Sequence, residues 1–417
     1  MNVRRSAAVL AATAVIGAAS PAVAADPSPS ASPSSPALPP GLYGSANPQY
    51  DGVWRQSLAL LAQHTAGVKP AAEAVTWLTG QQCASGAFAP FRADTAKACD
   101  AKLPVDSNNT AAAVQALAAL GGHDAETARA VAWLKSVQNK DGGWGYAPGG
   151  ASDTNSTSVV VGALTAVGEK PAQVEKGGNS AYDALLAFAL PCKGAGAGAF
   201  AFQPGKAGEL AANADATAAG VVGALGLGMV VEAGRKTDGD CAGSGNPTPR
   251  QAAANGASYL AGAVAKTGHL TSAMPGSTDQ PDYGNTADAV VALAAQGGAG
   301  QAAKPLRWLE RNSAAWARQS GPAAYAQLVF AAHATGTDPR DFGGTDLVAR
   351  LNATGPAPRS ADGQTGRSGA DSDKADKADK KEQKGSSPSV WWIIGVGLVA
   401  GIGIGFLISG RNRRRKP

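Results

Sequence analysis

One motif recurs in register along this chain and constrains its fold more than any other feature. At 133–144 a tryptophan, Trp133, is followed five residues on by Gln138, nine on by Gly142 and eleven on by Trp144, with Asp141 beside the glycine. The stretch 77–88 repeats this spacing without a gap as Trp77, Gln82, Gly86 and Phe88. A third copy keeps Leu190, Gly198 and Phe200, and a fourth keeps Tyr259, Leu260 and Gly268 with Leu270 in the aromatic place. A repeat at this period means stacked supersecondary units, none of which can bury its apolar face alone.

Between the copies lies a second element. The runs Asp106 to Thr110, Asp153 to Thr157, Asn213 to Thr217 and Asp282 to Thr286 each open a stretch rich in Ala, Val, Leu and Gly. Asp, Asn and Thr in that place read as helix N-caps, because their side-chain oxygens accept from the orphan amides of the first turn. Each unit is therefore helix, loop, helix, loop. The expected pairs are 51–65 with 71–82, 107–121 with 124–138, 154–168 with 179–190, 214–233 with 250–265, 285–296 with 301–312, and 322–335 with 345–352. The first helix of most pairs is apolar nearly all round and the second carries charge on one face, as at Glu126, Arg129 and Lys135, so inner and outer rings are expected. The fold class is all-α: an α6/α6 toroid of six inner and six outer helices, with one C-terminal transmembrane helix.

That last helix comes from the end of the chain. Residues 390–409 carry no charge and are enough to cross ~30 Å of hydrocarbon at ~1.5 Å per residue. Trp391 and Trp392 sit at an interfacial position, and Arg411, Arg413, Arg414, Arg415 and Lys416 follow as a positive-inside anchor. At the other end Arg4 and Arg5, an apolar run and the small residues Ala22 and Ala24 read as a secretory signal. The expected organisation is a signal peptide (1–24), a Pro/Ser-rich stalk (25–48), the toroid (49–355), a disordered linker (356–389), the membrane helix (390–409) and a basic cytoplasmic tail (410–417). The domain is expected outside the cytosol, tethered to the cell membrane.

The net charge of +5 is carried by that tail and the signal peptide, leaving the exported part slightly acidic, which gives a nucleic-acid partner no support. The four cysteines, Cys83, Cys99, Cys192 and Cys241, lie in the exported part, where an even count suggests two disulfides. The expected pairs are Cys83 with Cys99 and Cys192 with Cys241. Neither the cysteines nor His64, His123, His269 and His333 have metal-ligand spacing, so no metal and no cofactor is required by the sequence.

The segment Gln138 to Trp144 resembles the Gln-x-x-x-Gly-x-Trp motif of the α6/α6 toroid superfamily. This includes squalene-hopene cyclases, protein prenyltransferase β-subunits, complement-type thioester domains, and the cobalamin carriers intrinsic factor and transcobalamin. Gln82 to Phe88 is similar, with Phe for Trp. The motif residues Gln82, Gly86, Phe88, Gln138, Asp141, Gly142 and Trp144 are expected to be structural, tying each outer helix to the loop after it. A cyclase would need an Asp-x-Asp-Asp acid, a prenyltransferase a zinc set and a thioester domain Cys-Gly-Glu-Gln, and none of these is evident, so no catalytic residue is assigned. The resemblance to the carriers implies a non-catalytic binding protein holding a cobalamin-like or other bulky ligand where the inner helices begin. The expected ligand-binding residues are Asp106, Asn108, Tyr146, Asp153, Asn155, Phe202, Asp215, Asp282, Tyr283, Asn285 and Tyr325. A membrane transporter, or a second surface protein completing the site, is the expected partner. The alternatives are an extracytoplasmic enzyme of the cyclase or prenyltransferase type and a protein-binding scaffold.

Overall fold

The computed structural model describes residues 39–359 except 236–240, 244 and 273–279, all within one unit, 38–417. The expected signal peptide, membrane helix and basic tail, with most of the stalk and linker, lie outside the described residues. Among the described residues no helix is long and apolar enough to cross a membrane.

Six inner helices, α1 (Gly52–Thr65), α3 (Ser107–Leu120), α5 (Thr154–Ala166), α7 (Ala214–Ala224), α9 (Tyr283–Gly297) and α12 (Pro322–Thr335), alternate with the outer helices. The outer ones are α2 (Ala72–Gly80), α4 (Asp124–Ser136), α6 (Ala181–Ala187), α8 (Pro249–Val264), α10 (Ala299–Asn312) and α13 (Leu347–Asn352). Each inner helix packs on the next, and α12 packs on α1, so the ring closes. Every outer helix backs its own inner partner. The side chains of Asp106, Asp153, Asn213 and Asp282 accept from amides three residues on at 2.7, 2.7, 2.8 and 3.1 Å, capping α3, α5, α7 and α9.

The two sequence elements are bonded to each other. The backbone amides of Phe88, Trp144, Phe200 and Leu270 donate to the hydroxyls of Thr110, Thr157, Thr217 and Thr286 at 2.9, 3.0, 2.9 and 3.0 Å. The cap residues close the same joint from the other side: Asp106 and Asp153 donate their amides to the carbonyls of Phe88 and Trp144. Asn213 and Asp282 are strand partners of Phe200 and Leu270 in the hairpins β3 (Phe200–Ala201) with β4 (Ala212–Asn213) and β5 (Leu270–Thr271) with β6 (Pro281–Asp282). A third hairpin pairs β1 (Glu175–Lys176) with β2 (Asn179–Ser180). These hairpins depart from the all-helical expectation; they are the joints between units, too short for period-2 patterning to show.

The motif acts structurally. Gln138 donates to the carbonyls of Gly142 and Val174 at 2.8 and 3.0 Å, and Gln82 to those of Gly86 and Glu126 at 3.0 and 2.8 Å, joining each loop to the next unit. Gly142 has φ +86° and lies against the Ser180 carbonyl, where a Cβ would collide. Trp144 is fully buried, its indole donating to the Leu134 carbonyl at 2.7 Å.

Three departures shape the ring. Helix α7 stops at Ala224 rather than 233, because the chain turns at Gly226 (φ +71°) and runs as a strap over the C-terminal end of the ring. Thr165 of α5 donates to the Gly226 carbonyl at 3.0 Å, Met229 donates its amide to Gln115 of α3 at 2.9 Å, and Gly234 donates to the Ala294 carbonyl of α9 at 2.8 Å. A helix absent from the expected twelve, α11 (Ala314–Ser320), fills the connection before α12. Finally, Tyr43 belongs to the folded body rather than to a stalk. It is fully buried against Gly355, its hydroxyl 3.1 Å from both Gln63 Oε1 and the Pro356 carbonyl, while Gly44 donates to the Thr354 carbonyl at 2.8 Å. Both expected disulfides, Cys83–Cys99 and Cys192–Cys241, are formed.

Candidate functional site at the mouth of the ring

Because the inner helices run the same way, their first turns meet at one mouth. Along α5, α7, α9 and α12, Val159, Ala219, Val222, Asp288 and Gln327 are half-buried, each between fully buried neighbours in sequence, so their open faces look into the ring. The strap lies across the opposite end. Apolar Val159, Ala219 and Val222 and polar Asp288 and Gln327 thus face the interior of the ring.

At the rim Asn155 of α5 donates to Asp215 of α7 at 2.7 Å. Gln327 of α12 donates to both carboxylate oxygens of Asp288 on α9, at 3.2 and 3.3 Å. Burial pushes Asp215 up to about 6 against the bond from Asn155, and the charge of Asp282 adds to the rise. Asp288 is pushed up to about 7, first by burial and then by the charge of Asp215. Burial likewise raises Asp282. An aromatic shelf adjoins these carboxyls. Tyr283 stacks on Trp316 with centroids 5.5 Å apart, and a Cβ on Gly284 would lie 3.6 Å from Gln327 Oε1 and 3.8 Å from Trp316 Cζ2. Trp308 meets Tyr283 from the other side at 5.0 Å.

The residues expected from sequence divide between two roles. Asn155, Asp215, Asp282 and Tyr283 lie together at this rim. Asp106, Asp153 and Asp282 have their carboxylates engaged as caps, and Asn285 donates its side chain back to Asp282 at 2.7 Å. Burial pushes Asp106 and Asp153 up to about 6 even so. Tyr146 sets its hydroxyl near the Asp106 carboxylate and takes the Ser107 amide on its carbonyl; the Phe202 carbonyl takes that of Thr154. Asn108 is 2% exposed, and neither amide atom has a partner. Tyr325 departs from the expected placement: it lines a separate cleft with Phe342 and Leu347, because its position on α12 faces α11 and α13.

Sequence reasoning missed Asp288, Gln327 and Trp316. A signal existed for Asp288, a lone carboxylate inside the Ala/Val run of α9, two residues after the joint threonine. Trp316 had none, since it arrives on the unexpected α11. Among the described residues no three His, Cys, Asp or Glu are placed to hold a metal ion.

No family model and no curated protein matches the chain. Among solved structures it is similar to a protein from Actinoplanes, at 17% identity and TM-score 0.43 over 65% of this chain and 74% of that one. It is similar also to ent-copalyl diphosphate synthase from Streptomyces platensis, at 16% identity and TM-score 0.45 over 68% of this chain and 50% of that one. The apo type II terpene cyclase MstE from Scytonema matches at 14% identity and TM-score 0.40 over 64% of this chain and 73% of that one. The chain's own helix order and packing make the fold an α/α toroid. The activity must be argued from the site.

Proposed function

We propose that this chain is a cell-surface, membrane-tethered binding protein that holds a bulky amphipathic molecule in the chamber of its toroid and passes it to a membrane transporter or a second surface protein. The observation that supports this reading is the polarity of the ring's interior: Val159, Ala219 and Val222 offer apolar surface, while Asn155, Asp215, Asp288 and Gln327 offer hydrogen-bonding groups nearer the mouth. A concave apolar site with a few convergent polar groups is the usual form of a small-molecule site. The strap across the other end makes the N-terminal mouth the way in. A corrinoid is one ligand of this class to titrate.

One observation favours the enzyme reading. Asp288, held up to about 7 beside an apolar space, can carry a proton at neutral pH and so serve as an acid of the kind a cyclase needs. Incubation of the full chain with a polyprenyl substrate and with a corrinoid, followed by chromatography and NMR of what is recovered, separates the readings. Retention of an unaltered ligand supports capture. A product whose formation stops in Asp288→Asn establishes an enzyme and overturns capture, and neither binding nor conversion leaves the scaffold reading.

A further inference from the structure

The rim is unusually one-sided in charge. Asp51, Asp106, Asp153, Asp215, Asp282 and Asp288 all lie in or before the first two turns of inner helices. The single cation among the described residues that meets one of them is Arg55, 2.9 Å from Asp51 and bonded also to the carbonyls of Tyr43 and Ala46. Asp106, Asp153, Asp215, Asp282 and Asp288 have no ion pair among the described residues. Asp106, Asp153 and Asp282 spend their carboxylates on helix caps, whereas Asp215 and Asp288 take only an amide N–H from Asn155 and Gln327.

Beside Asp215 the unused polar atom is an acceptor. Asn155 is 8% exposed, its Nδ2 is given to Asp215, and its Oδ1 has no partner. Asn109 shows the same pattern, its Nδ2 given to Asp106 and its Oδ1 unpartnered. Asn108 holds on α3 the place that Asn155 holds on α5 and Asp215 on α7, two residues before the joint threonine, and both its amide oxygen and its amide nitrogen are unpartnered. A buried acceptor without a donor costs about 1–3 kcal/mol, so an orphan acceptor beside Asp215 favours a guest that brings N–H groups. Trp316, half-buried near Gln327, offers an aromatic surface that favours a cation over an anion. The carboxyls are not grouped for a metal ion, and the walls below are apolar.

We infer that the guest is an organic ammonium: a protonated primary or secondary amine on an apolar body, its N–H groups shared between Asp215, Asp288 and the Asn155 carbonyl oxygen and its body in the chamber lined by Val159, Ala219 and Val222. This rests on the chamber being the ligand site. Because Asp215 and Asp288 hold protons up to about 6 and about 7, and Asp153 and Asp282 stand beside them, seating the cation expels protons. Affinity therefore rises with pH.

The test is calorimetry on the full chain, solubilised in neutral detergent, with four water-soluble probes of equal tail: hexylammonium, hexyltrimethylammonium, hexanol and hexanoate. Hexylammonium should bind at least about tenfold more tightly than the others, and its affinity should rise about tenfold or more from about pH 5 to about pH 8. Asp215→Asn should abolish that preference, and Trp316→Leu, which leaves the carboxyls in place, should weaken binding about threefold to thirtyfold. Hexanol or hexanoate binding as tightly as hexylammonium overturns the ammonium inference and leaves the chamber reading standing. Hexyltrimethylammonium binding as tightly removes the role of the N–H groups and overturns it likewise. Hexylammonium binding that survives unchanged when Val222→Phe blocks the chamber places the cation elsewhere and counts against both.

Discussion

Trp144 and Thr157 exchange hydrogen bonds through backbone and hydroxyl: the Trp144 amide donates to Thr157 Oγ1 at 3.0 Å, and that oxygen lies 3.3 Å from the Trp144 carbonyl. The pair joins the loop after an outer helix to the first turn of the next inner one, and three further units repeat its amide-to-hydroxyl bond. Thr157 is wholly buried, so Thr157→Val should leave the Trp144 amide without a partner and cost about 1–3 kcal/mol. Thr157→Ser should keep most of that. Equal denaturation midpoints for Thr157→Val and wild type would remove the joint's energetic role.

Tyr43 fastens the ring's ends, with Gly355 under its ring and Pro356 at its hydroxyl. Tyr43→Ala should destabilise by about 3–5 kcal/mol, as for other buried aromatics. Hydrogen exchange should then speed up together in 39–60 and 347–356. Exchange confined to the N-terminal segment would mean that the two ends are not coupled. A fragment beginning at Tyr50 lacks this fastening, so binding work calls for the full chain.

The two disulfides should differ in weight. Cys192–Cys241 spans 49 residues and Cys83–Cys99 spans 16. Loop-closure entropy then gives about 4 kcal/mol for the first and about 3 kcal/mol for the second. Cys192→Ala with Cys241→Ala should lower the melting temperature more than Cys83→Ala with Cys99→Ala; the reverse order would show native-state packing outweighing the unfolded-chain term.

The fold was legible because its signals are local and repeated. Spacing from Trp133 to Trp144 and the caps from Asp106 to Asp282 marked the loops and the helix starts independently, and the structure bonds one set to the other. The chamber was less legible, because what faces it depends on ring closure rather than on neighbours in sequence. Asp288 read as part of an apolar helix, and Trp316 fell in a stretch taken for loop. The strap was hidden because the apolar residues after Ala224 continue the pattern of a buried helix until Gly226 turns the chain.

Stability should fall as pH rises through the raised carboxyls. Asp106, Asp153 and Asp215 stand at about 6 and Asp288 at about 7, against ~3.9 in an unfolded chain. Between ~4 and ~7 the folded chain keeps protons that the unfolded chain has released, so these groups favour folding at the acid end and lose that contribution as pH rises. The melting temperature should be lower at about pH 8 than at about pH 5, and Asp288→Asn should flatten the slope and raise the value at about pH 8. A melting temperature that climbs over this range would contradict the burial of these groups.

Whether the open end of the ring holds a ligand is tested most directly by native mass spectrometry of the full chain purified from the cells that make it. Wild type should carry a bound small molecule, whereas Val222→Phe and Val159→Phe, which narrow the chamber without touching the rim, should be empty at nearly unchanged melting temperature. A bound molecule retained equally by wild type and both variants would contradict the claim.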